Sequence, residues 1–148
     1  MKVQFSASAE DLLLEQRNGM TEPPSESLFI RLVFPVSLSD GLQTLELGSV
    51  PVARFALEML LGLDRLLSLR TSEYVYNDFY GGLTLRTTKS DGKIRFERPE
   101  TRSFLEIEKE EALAGLRDFA EQVLKFIGEY FPETPGVQSL RDALSEST

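Results

Sequence analysis

Leu28, Ile30, Leu32, Phe34, Val36 and Leu38 place an apolar side chain at every second position, the period of a strand with one buried face. A strand of that length exposes backbone donors and acceptors along both sides and must join a sheet. Arg31, Pro35 and Ser37 fall on the opposite face. Pro35 has no N–H to give, which puts the run at an edge or beside a bulge. Ser39-Asp40-Gly41 supplies a turn, and Leu45 and Leu47 a return strand, so the segment is an antiparallel hairpin. Val3, Phe5 and Ala7 alternate in the same way over residues 2–7 and predict an N-terminal strand. Between the two, Ser8 and Asp11 form a capping pattern before a short helix over residues 11–17, which Asn18-Gly19 stops. Two prolines make residues 21–26 a loop.

At residue 52 the period changes. Val52, Phe55, Ala56, Met59, Leu60, Leu63, Leu66 and Leu67 recur at helical spacing, with Ser49 as the expected N-cap and Pro51 in the first turn. Leu57 and Leu61 widen this stripe, so the helix needs a second cover, another helix or a partner. Residues 73–107 return to period two, with turns at Ser90-Asp91-Gly92 and Pro99-Glu100-Thr101, and read as a meander of three or four strands. A second long helix begins near Glu108, with Leu113, Leu116, Ala120, Val123, Leu124 and Ile127 as its buried stripe, and ends at Phe131-Pro132. Residues 137–144 add a short helix, and 145–148 form a polar tail. The expected fold is a single α+β domain over residues 1–148. It comprises an antiparallel sheet of N-terminal strand, hairpin and meander, with two main helices packed on one face.

The chain has neither cysteine nor histidine. Disulfides, thiolate sites and Ser-His or Cys-His nucleophilic machinery are therefore excluded within it, and no metal or cofactor is expected. An enzyme built from this chain would have to work with carboxylates, Lys, Arg, Tyr or Ser. No apolar run approaches a membrane span and the start lacks a secretory h-region, so a soluble, cytoplasmic protein is expected. The net charge of −8 is uneven: residues 108–148 hold nine acidic and four basic side chains, whereas residues 71–107 hold six of each. Such a surface disfavours nucleic acid and steers a basic protein towards it.

Candidate motifs have plain structural readings. Glu108, Glu110 and Glu111 sit where a helix start favours acids. Asp40 and Asp91 precede glycines in turns. Gly81-Gly82 leads into an alternating strand and not into the helix end that a phosphate loop needs. Arg86, Lys93, Arg95, Arg98 and Arg102 interleave with Glu97, Glu100 and Glu106, the pattern of cross-strand ion pairs on a solvated face. The densest anomaly is Tyr74-Val75-Tyr76-Asn77-Asp78-Phe79-Tyr80, either core packing or an interface rich in aromatic anchors. The candidate partner-binding residues are thus Tyr74, Tyr76, Asp78, Phe79 and Tyr80, together with Glu110, Glu111 and Asp118 in the acidic C-terminal part.

Phe34-Pro35-Val36, the helix over residues 52–67, the strands over 83–96 and the closing helix over 112–131 together resemble small bacterial immunity proteins that accompany polymorphic toxins. That resemblance implies a non-catalytic protein that neutralises a basic toxin by direct contact, and it carries over no functional residue. The same layout is similar to small acidic chaperones of bacterial secretion systems, which implies a homodimer through the helix over residues 52–67 and a secreted effector as partner.

Overall fold

The computed structural model describes residues 1–6, 32–68, 71–78, 82–130 and 136–146. Within them run β1 (Lys2–Phe5), β2 (Val33–Ser39), β3 (Thr44–Pro51), α1 (Val52–Leu67), β4 (Glu73–Asp78), β5 (Leu83–Ser90), β6 (Lys93–Arg98), β7 (Ser103–Glu108), α2 (Lys109–Tyr130) and α3 (Val137–Glu146). The expected helix over 11–17, the loop over 21–26 and residues 28–31 of the long alternation lie outside the described residues.

The fold is α+β, and its strands form two antiparallel sheets rather than one, ordered β1-β2-β3 and β4-β5-β6-β7. The division follows from how α1 starts. Pro51 still pairs with Val33 while Val52 already opens the helix, so β3 passes into α1 with no loop. The strands that follow α1 build a ladder of their own through tight turns. Ser49, expected as the N-cap, is instead inside β3, and Pro51 takes the cap position with no side-chain bond. The Val52 amide donates to the Leu32 carbonyl at 3.0 Å, so a neighbouring backbone satisfies a donor that a serine cap would otherwise serve.

β2 is the central strand of its sheet, so of the two readings of Pro35 the bulge is the one observed. Val36 faces Gly48 and Ser37 faces Glu46, which leaves Leu47 as the extra residue of β3. Gly48 adopts φ +72°, a left-handed conformation that costs glycine no side-chain clash. The turns follow their sequence signatures. Asp40 Oδ1 accepts from the Leu42 and Gln43 amides at 2.9 and 2.7 Å, and those bonds, Gln43 first, hold its carboxyl below the usual range. Asp91 and Gly92, at φ +48° and +79°, make the two-residue turn that joins Ser90 to Lys93.

Inward side chains of both sheets and all three helices share one core. Aromatic rings run through it from sheet to sheet. Phe34 lies 6.1 Å from Phe5, Phe5 lies 5.8 Å from Phe119, Phe119 lies 5.9 Å from Phe55, and Phe55 lies 5.1 Å from Tyr76. All these contacts except the first are edge-to-face, the arrangement favoured by ring quadrupoles. Helix α1 packs against α2 and α3, so the cover demanded by its wide stripe comes from the same chain. Leu57 is half-buried against the core, and only Leu61, 42% exposed, remains outside it. On α2 the buried stripe includes Phe119, while Leu113 and Leu124, expected inside it, are half-buried.

Candidate functional site

Strand alternation decides what the aromatic segment does. On β4, Tyr76 and Asp78 point inward, 0% and 3% exposed, and Tyr74 is half-buried; Glu73, Val75 and Asn77 point outward. Tyr76 and Asp78 are therefore core residues in this fold and do not present themselves to a partner, whereas Phe79 and Tyr80 lie outside the described residues. Tyr74 covers Gly62 of α1 so closely that a Cβ there would overlap its ring, which makes this glycine the seat of the β4–α1 contact. Asp78 sits near the Tyr76 hydroxyl, which has no hydrogen-bond partner.

Burial, with the Glu58 carboxylate adding to it, pushes the Tyr74 hydroxyl up to about 12, and burial, with Asp78 adding to it, pushes Tyr76 higher still. Unfolded tyrosines ionise near about 10. Above that pH the unfolded chain releases protons that the folded chain keeps, so stability is complete below it and falls as pH rises towards the folded values. The urea midpoint should stay level to about pH 9.5 and then decline, and Tyr76→Phe should flatten the decline. At pH 7 the same substitution should change stability by less than about 1 kcal/mol, because the hydroxyl it removes is unbonded.

Glu110, Glu111 and Asp118 lie elsewhere. They are exposed on α2, which packs on β1, β6 and β7, whereas α1 covers β4 and β5. The structure therefore does not join the two sets of candidate residues into one site. Glu110 and Glu111 occupy the first turn of α2. With Asp118, Glu121 and Glu129 they give the helix an exposed acidic side relieved by Lys125 alone among its exposed cations. Among the described residues none of these five carboxylates forms an ion pair; Asp118 accepts from Gln122 Nε2 at 2.7 Å.

Three carboxylates of the second sheet are in the opposite condition. On its outer face Arg86 meets Glu73 at 2.6 Å, and Arg95 meets Glu97 at 3.1 Å and Glu106 at 3.4 Å. Arg95 also lies 3.8 Å over the Phe104 ring. Arg86–Glu73 and Arg95–Glu106 are the expected cross-strand pairs, Arg95–Glu97 lies within β6, and Lys93 and Arg102 form no ion pair among the described residues. Arg86 and Arg95 project away from the side that holds Tyr76 and Asp78, so those four residues form no common pocket. Among the described residues, no three acidic side chains gather as a metal-holding group, and no helix is long and apolar enough to cross a membrane.

Sequence reasoning missed a cleft of about 490 Å³ between β3 and β7, edge strands of the two sheets. It is lined by Gln43, Thr44 and Leu45 from the start of β3 and by Arg102, Ser103, Phe104 and Leu105 from the start of β7. Leu45 and Leu105 are buried at 3% and 2%, whereas Phe104 is 44% exposed and Leu42, at the adjoining turn, is 96% exposed. Arg98 ties the sheets together beside the cleft, its Nη1 donating to the Glu46 carbonyl at 2.7 Å. No family model matches this chain, and no curated protein or solved structure does. The contact surfaces therefore stand on their own geometry.

Arg102 holds φ +57°, a left-handed conformation that costs a residue with a Cβ about 1–2 kcal/mol. Arg102→Gly should remove that cost and give back part of it through greater freedom of the unfolded chain. The expected net result is a gain of up to about 1 kcal/mol in urea unfolding.

Proposed function

We propose that this protein is a non-catalytic binding domain that acts in the cytoplasm by direct contact with a basic protein partner, neutralising it in the manner of an immunity or antitoxin protein. The observation that carries the reading is the contrast in charge pairing. On the second sheet Glu73, Glu97 and Glu106 each pair with an arginine of that sheet, while the exposed acids of α2 have no ion pair among the described residues. Unpaired acids on one side of a rigid helix raise the encounter rate of a cationic surface and set its orientation.

The chaperone-like homodimer is the second reading. It has less support, because the apolar stripe that suggested a dimer is covered by α2 and α3.

Affinity capture from the native host at low and at high salt tests the proposal. The expected partner is a basic protein that is retained at low ionic strength and released as salt rises. A partner that is acidic, or whose retention ignores salt, overturns the reading. Doubling of the mass with concentration, without any such partner, favours the dimer.

A further inference from the structure

The cleft between the sheets has open main-chain groups on both walls, as ladder parity shows. In an antiparallel pair, residues alternate between those bonded across the pair and those whose N–H and C=O point the other way. Asp40 N–H donates to the Gln43 carbonyl at 3.2 Å, so Ser39↔Thr44 is a non-bonded pair, Leu38↔Leu45 a bonded one, and Ser37↔Glu46 again non-bonded. The Glu46 carbonyl confirms this parity, because it faces away from β2 and accepts from Arg98. The backbone groups of Thr44 therefore face the cleft.

The other wall follows in the same way. Lys109 N–H donates to the Gly92 carbonyl at 3.2 Å, which makes Lys93↔Glu108 non-bonded and, counting along the register, Arg95↔Glu106 and Glu97↔Phe104 non-bonded too. The backbone groups of Phe104 and Glu106 thus point off the free edge of β7. Neither edge pairs with another strand among the described residues.

Space and charge specify what fits. At about 3.3 Å rise, 4.8 Å between strands and 10 Å of sheet thickness, a strand residue takes roughly 160 Å³, so the cleft holds about three. Leu45 and Leu105 form an apolar floor for an inward side chain. Among the described residues Arg102 is the only charged one lining the cleft, and it forms no ion pair with any of them, whereas Arg86, Arg95 and Arg98 of the same sheet each have a carboxylate.

We propose that this cleft accepts an extended, carboxylate-bearing segment of a protein partner as an added strand between β3 and β7. The segment hydrogen-bonds to Thr44 and Phe104, places an aliphatic side chain over Leu45 and Leu105, and sets a carboxylate against Arg102. This is strand addition with a charge for specificity. It uses a surface separate from α2 and does not depend on the acidic helix having a partner.

Two blocked pentapeptides, Glu-Val-Glu-Val-Glu and Lys-Val-Lys-Val-Lys, titrated into the ¹⁵N-labelled protein at about 0.15 M salt, where screening leaves local charge in control, test this. The acidic peptide should shift the amides of Thr44 and Phe104 and bind at least about tenfold tighter than the basic one, a difference of about 1.4 kcal/mol. Replacing either of its valines by proline should abolish the shifts at Thr44 and Phe104, and Arg102→Glu should reverse the order of the two peptides. The proposal fails if neither peptide shifts these amides at millimolar concentration, if both bind equally, or if the shifts fall on other surfaces. It also fails if the amides move with protein concentration alone, which would make a second copy the occupant.

Discussion

Phe119→Ala is expected to lower the free energy of unfolding by about 3–5 kcal/mol, the range for an aromatic side chain deleted from a packed interior. Phe119 is fully buried on α2, with its ring edge-to-face against both Phe5 of β1 and Phe55 of α1. Phe55 in turn meets Tyr76 of the second sheet. Removing the ring therefore interrupts the aromatic path between the sheets, and the resulting void cannot be filled by a single neighbour. Urea unfolding followed by circular dichroism and by tyrosine fluorescence should give one coincident transition at a lower midpoint, because both sheets share one core. A loss below about 1 kcal/mol, or two separated transitions, would show that Phe119 does not couple them.

Asp78→Lys should cost about 3–5 kcal/mol, and Asn77→Lys next to it less than about 0.5 kcal/mol. The two positions face opposite ways: Asp78 is 3% exposed, whereas Asn77 is on the outer side of β4, its Oδ1 accepting from Thr84 Oγ1 in an exposed bond. A lysine at residue 78 would place a cation with a long stem among packed side chains, and the penalty for a buried ion exceeds what nearby groups repay. On the interface reading of residues 74–80, Asp78 is a contact residue, and its replacement would spare the fold. Its burial reverses that expectation, and chemical denaturation of the two variants side by side checks the reversal.

Much of the fold was legible because hydrophobic period and turn chemistry are local. The alternation at Phe34, Val36 and Leu38, the helical recurrence from Val52 to Leu67 and the Asp91-Gly92 turn each reappear in place. What the sequence did not reveal depends on contacts between distant segments. Ser49 has the chemistry of a cap, yet β3 pairs with β2 through Pro51 and carries the ladder past it. Phe119 lies three residues beyond Leu116 and four before Val123, so helical spacing could have placed it in the buried stripe. The cleft had no local signal: Leu45 and Leu105 alternate as ordinary inward residues, and nothing in either strand states that two sheet edges will face each other unpaired.

The claim that the acidic side of α2 is a working contact surface is tested most directly by a four-site variant, Glu110→Gln, Glu111→Gln, Asp118→Lys and Glu121→Lys. Capture of the basic partner and the urea midpoint are measured on the same preparation. All four side chains are exposed, so the free energy of unfolding should fall only by the few tenths to about 1 kcal/mol per charge that the helix dipole is worth at residues 110 and 111. Such a folded variant should no longer capture the partner at low salt. Capture equal to that of the unaltered protein, with the fold intact, would contradict that claim.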